Sequence, residues 1–347
     1  MAGVINVFRE NIPSSLPHRM TGALSLQGET VNRGYSGGLT FTPAAIQNSY
    51  AAFFYHELVL GRLTVNAAVR YDLRYINPAS NKLSATVGQI RDRNLRGWSG
   101  ACGSRIRIYD GLSAGLNLMH SFRPPTIEEL FSEGPHLAAY SYEVGNAALQ
   151  AENGNGGEVF TEYKTERGHI HLSVYQNSFA NYIFPVSTGR KSWRRADLYV
   201  YRFTGQPARF RGFEAVSALQ LNHTVALNAT LNYVEGMLTD SSQFLPQIPP
   251  LEGKLGLSGA WDTFSVRSDL RMAARQDHTG RFEEPTAAFA VIDLSAQYAL
   301  TSGPLLHTLN LRVDNLLDSV YRKHLNRIKE VMPEAGRNIR LLYRIYF

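Results

Sequence analysis

A chain of 347 residues with a formal net charge of +6, 18 Tyr, 17 Phe, 29 Gly and one Cys has room for two soluble domains or one large barrel. No run of about 18 apolar residues occurs, which excludes transmembrane helices but not alternating membrane strands, whose mean hydropathy stays near the −0.21 found here. The basic balance does not point to nucleic acid, because the arginines are spread singly, and the lone Cys102 excludes an internal disulfide framework.

The chain starts M-A-G-V-I-N-V-F-R-E-N, with no basic segment before an apolar core, so it does not read as a secretory signal. Residues 1–48 are poorly defined: Thr21 to Glu29 reads as one strand, and Pro13, Pro17 and Pro43 mark loops. From 49 to 347 regular hairpins follow. Tyr50 to Leu60 leads to a turn at Gly61. Leu63, Val65, Ala67, Val69, Tyr71, Leu73 and Tyr75 then alternate with a largely polar set that includes Arg62, Arg70, Asp72 and Arg74. Further tight turns fall at Asp110-Gly111, Arg167-Gly168, Asn222-His223, Asp262-Thr263 and Ser302-Gly303-Pro304. In the strands beside them one face is apolar and the other polar, and Cys102 shares the apolar face with Trp98, Ile106 and Ile108.

Long polar connections over 76–96, 123–156, 183–209, 235–252, 275–287 and 317–335 alternate with these turns. Short turns at one end and long loops at the other is the asymmetry of a transmembrane barrel, and loops of this length count against a compact soluble domain. The final segment, N-I-R-L-L-Y-R-I-Y-F, carries Ile339, Leu341, Tyr343, Ile345 and Phe347 on one face. It reads as a barrel strand running inward, with Phe347 ending in the periplasm. The expectation is an all-β, transmembrane antiparallel barrel segment of about 14 strands.

Six boxes add to this pattern. Ser121 to His136 reads S-F-R-P-P-T-I-E-E-L-F-S-E-G-P-H, and Tyr142 to Glu152 reads Y-E-V-G-N-A-A-L-Q-A-E. Downstream come Arg211-Gly212-Phe213-Glu214, Ile248-Pro249-Pro250, Val313 to Asp318 with Tyr321, and Pro333 to Arg337 before the terminal Phe347. In order, these resemble TonB-dependent outer-membrane receptors, with Ala147 where the family's second box usually has proline. Phe131 to Phe184 looks most similar to the zinc-uptake branch.

The resemblance implies a barrel of about 22 strands around an N-terminal plug, opened by the TonB–ExbB–ExbD system in the outer membrane of a Gram-negative bacterium. It also implies that 1–347 is the C-terminal part of such a receptor, without plug or TonB box. The function it implies is energy-coupled uptake of a scarce metal or metal chelate, zinc first, haem or a ferric siderophore second. The alternative is a passive fourteen-stranded diffusion channel, and a third class is a soluble β structural protein. The expected partners are outer-membrane lipid, the TonB system through the plug, and the metal-bearing ligand.

Candidate chemistry lies in the loop after Phe122. Glu133 and His136, accompanied by Glu128, Glu129 and Glu143, offer carboxylate and imidazole donors suited to zinc capture. His136 also sits between boxes as the haem-receptor histidine does. His169 and His171 share an inward strand face, but lie beside a short turn, and read as solvated lumen residues in preference to a metal pair. Inward Arg62, Arg70, Arg74, Arg105, Arg107, Arg267, Arg271, Arg312, Arg340 and Arg344 either draw an anionic cargo or pair with Asp72, Asp269, Asp314 and plug carboxylates, and pairing is favoured. No nucleophile–base constellation or phosphate-cradling glycine loop is evident, so neither catalysis nor a resident cofactor is expected.

Overall fold

The computed structural model describes residues 3–9, 18–31, 41–79, 81–195 and 197–347, with side chains from residue 41 onward. The strands are β1 (Gly3–Arg9), β2 (His18–Val31), β3 (Ala45–Leu60), β4 (Leu63–Pro78), β5 (Lys82–Ser84), β6 (Gly88–Ile90), β7 (Arg93–Tyr109), β8 (Leu112–Arg123), β9 (Glu133–His136) and β10 (Ser141–Val144). They continue with β11 (Glu152–Thr165), β12 (Gly168–Lys191), β13 (Tyr199–Gln220), β14 (Val225–Leu238), β15 (Glu252–Ala260), β16 (Phe264–Ala273), β17 (Phe289–Ser302), β18 (Leu305–Asp314) and β19 (Asn338–Tyr346). One short helix, α1, spans Ile127–Phe131.

Among the described residues fifteen strands pair antiparallel in the order β1-β2-β3-β4-β7-β8-β11-β12-β13-β14-β15-β16-β17-β18-β19. All six tight turns fall where turn residues mark them; Gly61, Gly111 and Gly303 adopt positive φ at three of them. The strand expected at Thr21 to Glu29 lies inside β2, while β1 carries no clear pattern in the sequence. Pro13 and Pro17, expected in loops, lie outside the described residues.

One connection departs from expectation. Residues 183–209, read as a long loop, are mostly strand: β12 runs 24 residues and β13 runs 22, leaving only 192–198 between them. At about 3.3 Å per residue β12 is roughly 79 Å long, far beyond a lipid-facing band of about 25 Å. The polar content that reads as a loop is that of a hairpin standing in water. Its upper part shifts register between Phe179 and Tyr182 and between Ser187 and Lys191.

The alternation divides the meander into two faces. Outward-facing Val69 (49% exposed), Val174 (64%) and Leu257 (50%) have no protein to cover them, and Cys102 is exposed among them. Aromatic pairs flank this apolar band: Tyr50–Tyr75 (6.1 Å between centroids) and Trp98–His120 (4.2 Å) towards the long loops, Trp261–Phe264 (5.9 Å) at the short turns. The inward face carries Arg70, Arg105, Arg267, Arg271, Arg312 and Arg340, of the expected arginines, in ion pairs. Arg70 meets Asp72 at 2.7 Å, Arg267 meets Asp269 at 2.8 Å, and Arg271 meets Asp293 at 2.6 Å. Arg312 and Arg340 share Asp314, each at 2.8 Å, and Arg105 pairs with Glu162. For these six arginines, pairing with lumen carboxylates is what the structure shows.

Leu257→Arg is expected to cost about 2–4 kcal/mol of stability in lipid, because a charge on the lipid face has no aqueous escape. Gln297→Arg, on the inward face, is expected to cost little. Urea unfolding from lipid vesicles measures both; equal losses would contradict the facing assigned here.

Candidate functional site: the cap at the long-loop end

The two boxes around residues 121–152 meet in one ionic knot. Arg123, the last residue of β8, donates Nε and Nη2 to Glu152 at 2.5 and 2.7 Å and Nη1 to both Glu129 oxygens at 3.0 Å. Glu152 also accepts the Ile183 backbone N–H at 2.6 Å. Burial works against the Arg123 charge, but the hydrogen bonds from Glu152 and Glu129 outweigh it and hold the guanidinium pKa above its ordinary value. Glu129 also shapes the helix start, forming with Thr126 the capping box of α1, in which each side chain reaches the other's backbone N–H.

A capped single turn is too short to persist unaided, and tertiary packing holds it. Ile127, Leu130 and Phe131 are buried with Tyr142, Val144, Ala147, Leu149, Ile183, Leu198 and Phe203. Gly145 lies against α1 so closely that a Cβ there would stand 2.7 Å from the Leu130 carbonyl carbon. That close approach explains the glycine of the second box. The result is a small hydrophobic core above the barrel wall, not a mobile loop.

On this cap β9 and β10 form a hairpin, and β10 adds parallel to the upper part of β13. His136 Nδ1 lies 3.1 Å from Glu143 Oε1; the Glu143 carboxylate, 3% exposed, also accepts Ser141 Oγ at 3.1 Å and Arg327 Nη1 at 2.8 Å. An anionic Glu143 assigns the proton to Nδ1 and the lone pair to Nε2, which has no hydrogen-bond partner among the described residues. The imidazole is 45% exposed and tilts against the Phe41 ring at 5.5 Å.

Glu133 is placed otherwise. Three residues earlier on an extended strand, it projects from the opposite face of β9, where its carboxylate lies 3.6 Å from Arg194 and 3.4 Å from Ser84 Oγ. It lines a cavity of about 310 Å³ together with Phe41, Lys82, Tyr142, Arg194 and Arg195. The structure therefore groups His136 with Glu143, and Glu133 with Arg194. Of the accompanying acids, Glu129 is committed to Arg123. His169 Nε2 is held by Glu162 at 2.8 Å and His171 stacks on Phe160 at 5.7 Å, so this pair has protein partners. No group of three His, Cys, Asp or Glu side chains able to hold a metal occurs among the described residues.

Arg194 and Arg327 are neighbours of the candidate site residues that sequence reasoning missed. Arg327 lies 184 residues from Glu143, and no local pattern signals such a contact. The C-terminal box is more explicable. Asn315 is buried in the left-handed region (φ 54°), donates to Ser319 O at 2.9 Å, and accepts the Ser319 N–H. Asp318 accepts the Arg337 N–H at 2.7 Å. The two side chains close the 315–337 loop at its base.

These features define a transmembrane β-barrel of the Gram-negative outer membrane, with a packed cap over a charged lumen wall. Residues 14–316 match the family described as "TonB dependent receptor-like, beta-barrel", and the chain belongs to that family, which comprises transport receptors and not enzymes. Among solved structures, the copper transporter OprC superposes with a TM-score of 0.78 at 21% identity, over 98% of this chain and 55% of that one. The FrpB iron transporter from Neisseria meningitidis gives 0.70 at 12%, over 99% and 54%. Both likenesses concern the fold. A probable hemoglobin and hemoglobin-haptoglobin-binding protein 1 from Haemophilus influenzae is 29% identical over 164 residues, 44% of this chain and 15% of that protein. The chain thus spans about half the length of the solved relatives and a smaller share of the curated one.

Removing the Arg123 side chain (Arg123→Ala) strands two carboxylates that are largely buried. The guanidinium is 40% exposed, so solvent screening limits the expected loss to about 1–3 kcal/mol in the cap. Hydrogen exchange over residues 124–151 of the intact receptor is expected to speed up by about tenfold or more, with the barrel strands unaffected. Unchanged exchange would remove the knot from its organising role.

Proposed function

We propose that this chain supplies the wall and cap of a receptor that carries a metal-bearing cargo across the outer membrane under TonB–ExbB–ExbD power, and that the cargo is met by His136. The observation that carries the reading is the state of that imidazole. Nδ1 is oriented by a buried carboxylate, as is usual for metal-binding histidines, while Nε2 has no partner among the described residues and the half-exposed ring rests on Phe41, which also lines the cavity on the Glu133 side of β9. In this reading residues 1–347 are the C-terminal part of the receptor's barrel region, the cap recognises cargo, the wall encloses its path, and the plug supplies the coupling.

The donor count favours a chelate over a bare ion. Zinc takes about four protein or water ligands, whereas a chelate such as an iron porphyrin brings most of its own and needs one imidazole. Phe41, which touches the imidazole, offers an apolar face to a planar ring, and Lys82, Arg194 and Arg195 of the cavity that Phe41 also lines offer partners for its carboxylates. The haemoglobin-binding relative supports the same order, haem before zinc. The zinc reading keeps Glu133 and His136 as donors and requires the cap to rearrange, since the two project from opposite faces of β9. Family membership favours either receptor over a passive channel.

With the full-length receptor in detergent, ferric haem is expected to bind with a shifted Soret band, and His136→Ala to weaken binding by about tenfold or more. Zinc binding, followed by competition with a chromogenic chelator, is expected to be weaker and lost in Glu133→Ala/His136→Ala. Binding of both cargoes unchanged in the double variant would remove this site.

A further inference from the structure

Loops 239–251, 274–288 and 315–337 converge on the carboxylate of Glu283. It accepts the Gln247 backbone N–H at 3.0 and 3.1 Å and the Gly280 N–H at 3.1 Å. From loop 315–337 it receives Lys329 Nζ at 3.2 Å and His324 Nε2 at 3.1 Å. The other imidazole nitrogen, Nδ1, lies 3.0 Å from Thr286 Oγ1 and 3.2 Å from Lys329 Nζ. The His324 side chain is fully buried, and Lys329 and Glu283 are 7% and 10% exposed.

A neutral imidazole satisfies these contacts together, with Thr286 Oγ1 and Lys329 Nζ both donating towards Nδ1. A neutral His324 with its proton on Nε2 donates to Glu283 and accepts from Lys329 through Nδ1. A second proton on Nδ1 would abolish that acceptor and place imidazolium against ammonium, with a single carboxylate between them and little water to screen the repulsion. The surroundings add to the positive charge. Arg281, Arg327 and Glu330 line the cavity of about 40 Å³ that Glu283 and Lys329 also face, with Tyr201 on its β13 side. Arg322 donates to the Lys329 carbonyl at 2.7 Å. Burial works to raise the Glu283 pKa, but the His324 hydrogen bond and the Lys329 charge pull it below its ordinary value, so Glu283 stays ionised while an imidazole titrates. Its stabilising effect is complete above the ordinary carboxylate pKa and fades only as pH falls through the depressed one, a lower window than that of imidazole.

We propose that the Glu283–His324–Lys329 cluster is an acid-released latch: it binds three extracellular loops together at neutral pH and frees loop 315–337 when His324 takes a second proton. The same loop carries Arg327 to Glu143, so its release also loosens the support behind His136. The latch operates with or without cargo.

The test uses the full-length receptor with Cys102→Ser and spin labels at Val320→Cys and Asp277→Cys, on loops 315–337 and 274–288. Distances are measured by pulsed electron paramagnetic resonance at pH values between about 8 and about 5, the range over which imidazoles titrate. The ratio of short to long distances is expected to fall by about tenfold across that range in the otherwise wild-type protein. His324→Gln keeps an N–H for Glu283 without a titratable ring, and is expected to hold the short distance throughout; His324→Asn serves if that variant does not fold. A pH-independent distance in the wild type, or an undiminished pH response in either variant, overturns the latch.

Discussion

The cap depends on one arginine. Arg123 leaves the barrel wall at the end of β8 and binds Glu152, where the chain re-enters the wall as β11, and Glu129, where it starts α1. Two largely buried carboxylates are tolerable there only beside the partly exposed guanidinium, with every carboxylate oxygen accepting a hydrogen bond from it. That requirement brings both ends of a long excursion to one point, and the apolar side chains between them can then bury each other. The β9–β10 hairpin, the setting of His136 and the addition of β10 to β13 all follow from that closure.

The wall obeys a different constraint. Its outer face has lipid for a solvent, so a strict alternation suffices to seat each strand, and a one-residue slip would carry arginines into the bilayer. Its inner face has no such simple rule. There the strands place cations two residues from carboxylates or diagonally across from them, as Arg267, Asp269 and Lys254 do. Local ion pairs of this kind leave the lumen wall ordered without help from a packed core.

The loops occupy a middle ground. Buried charge joins them at two places: Glu143 with His136 and Arg327, and Glu283 with His324 and Lys329. Loop 315–337 contributes to both. Each cluster sets one imidazole and one permanent cation against a single carboxylate, so the cap is tied together by groups whose charge balance shifts by one proton. Apolar packing of the kind around Phe131 has no such sensitivity.

Period-two alternation determined the wall strands from β3 onward, their facing and the short turns, because those depend on residues adjacent in the chain and on a uniform solvent, whereas the short strands β5, β6, β9 and β10 lie in segments that read as loops. The family boxes were legible too, and their chemistry is local in effect: Asn315 and Asp318 close a loop base, and Gly145 permits close approach. Residues 183–209 were misread since a hairpin in water has the same polarity as a loop. Tertiary structure alone decided the site. Glu133 and His136 stand three residues apart, yet β9 points them in opposite directions, and the groups that give each its setting come from afar, Arg194 for one and Arg327 for the other. Contacts between distant segments leave no periodic trace in either segment, so only the folded chain shows which donors meet.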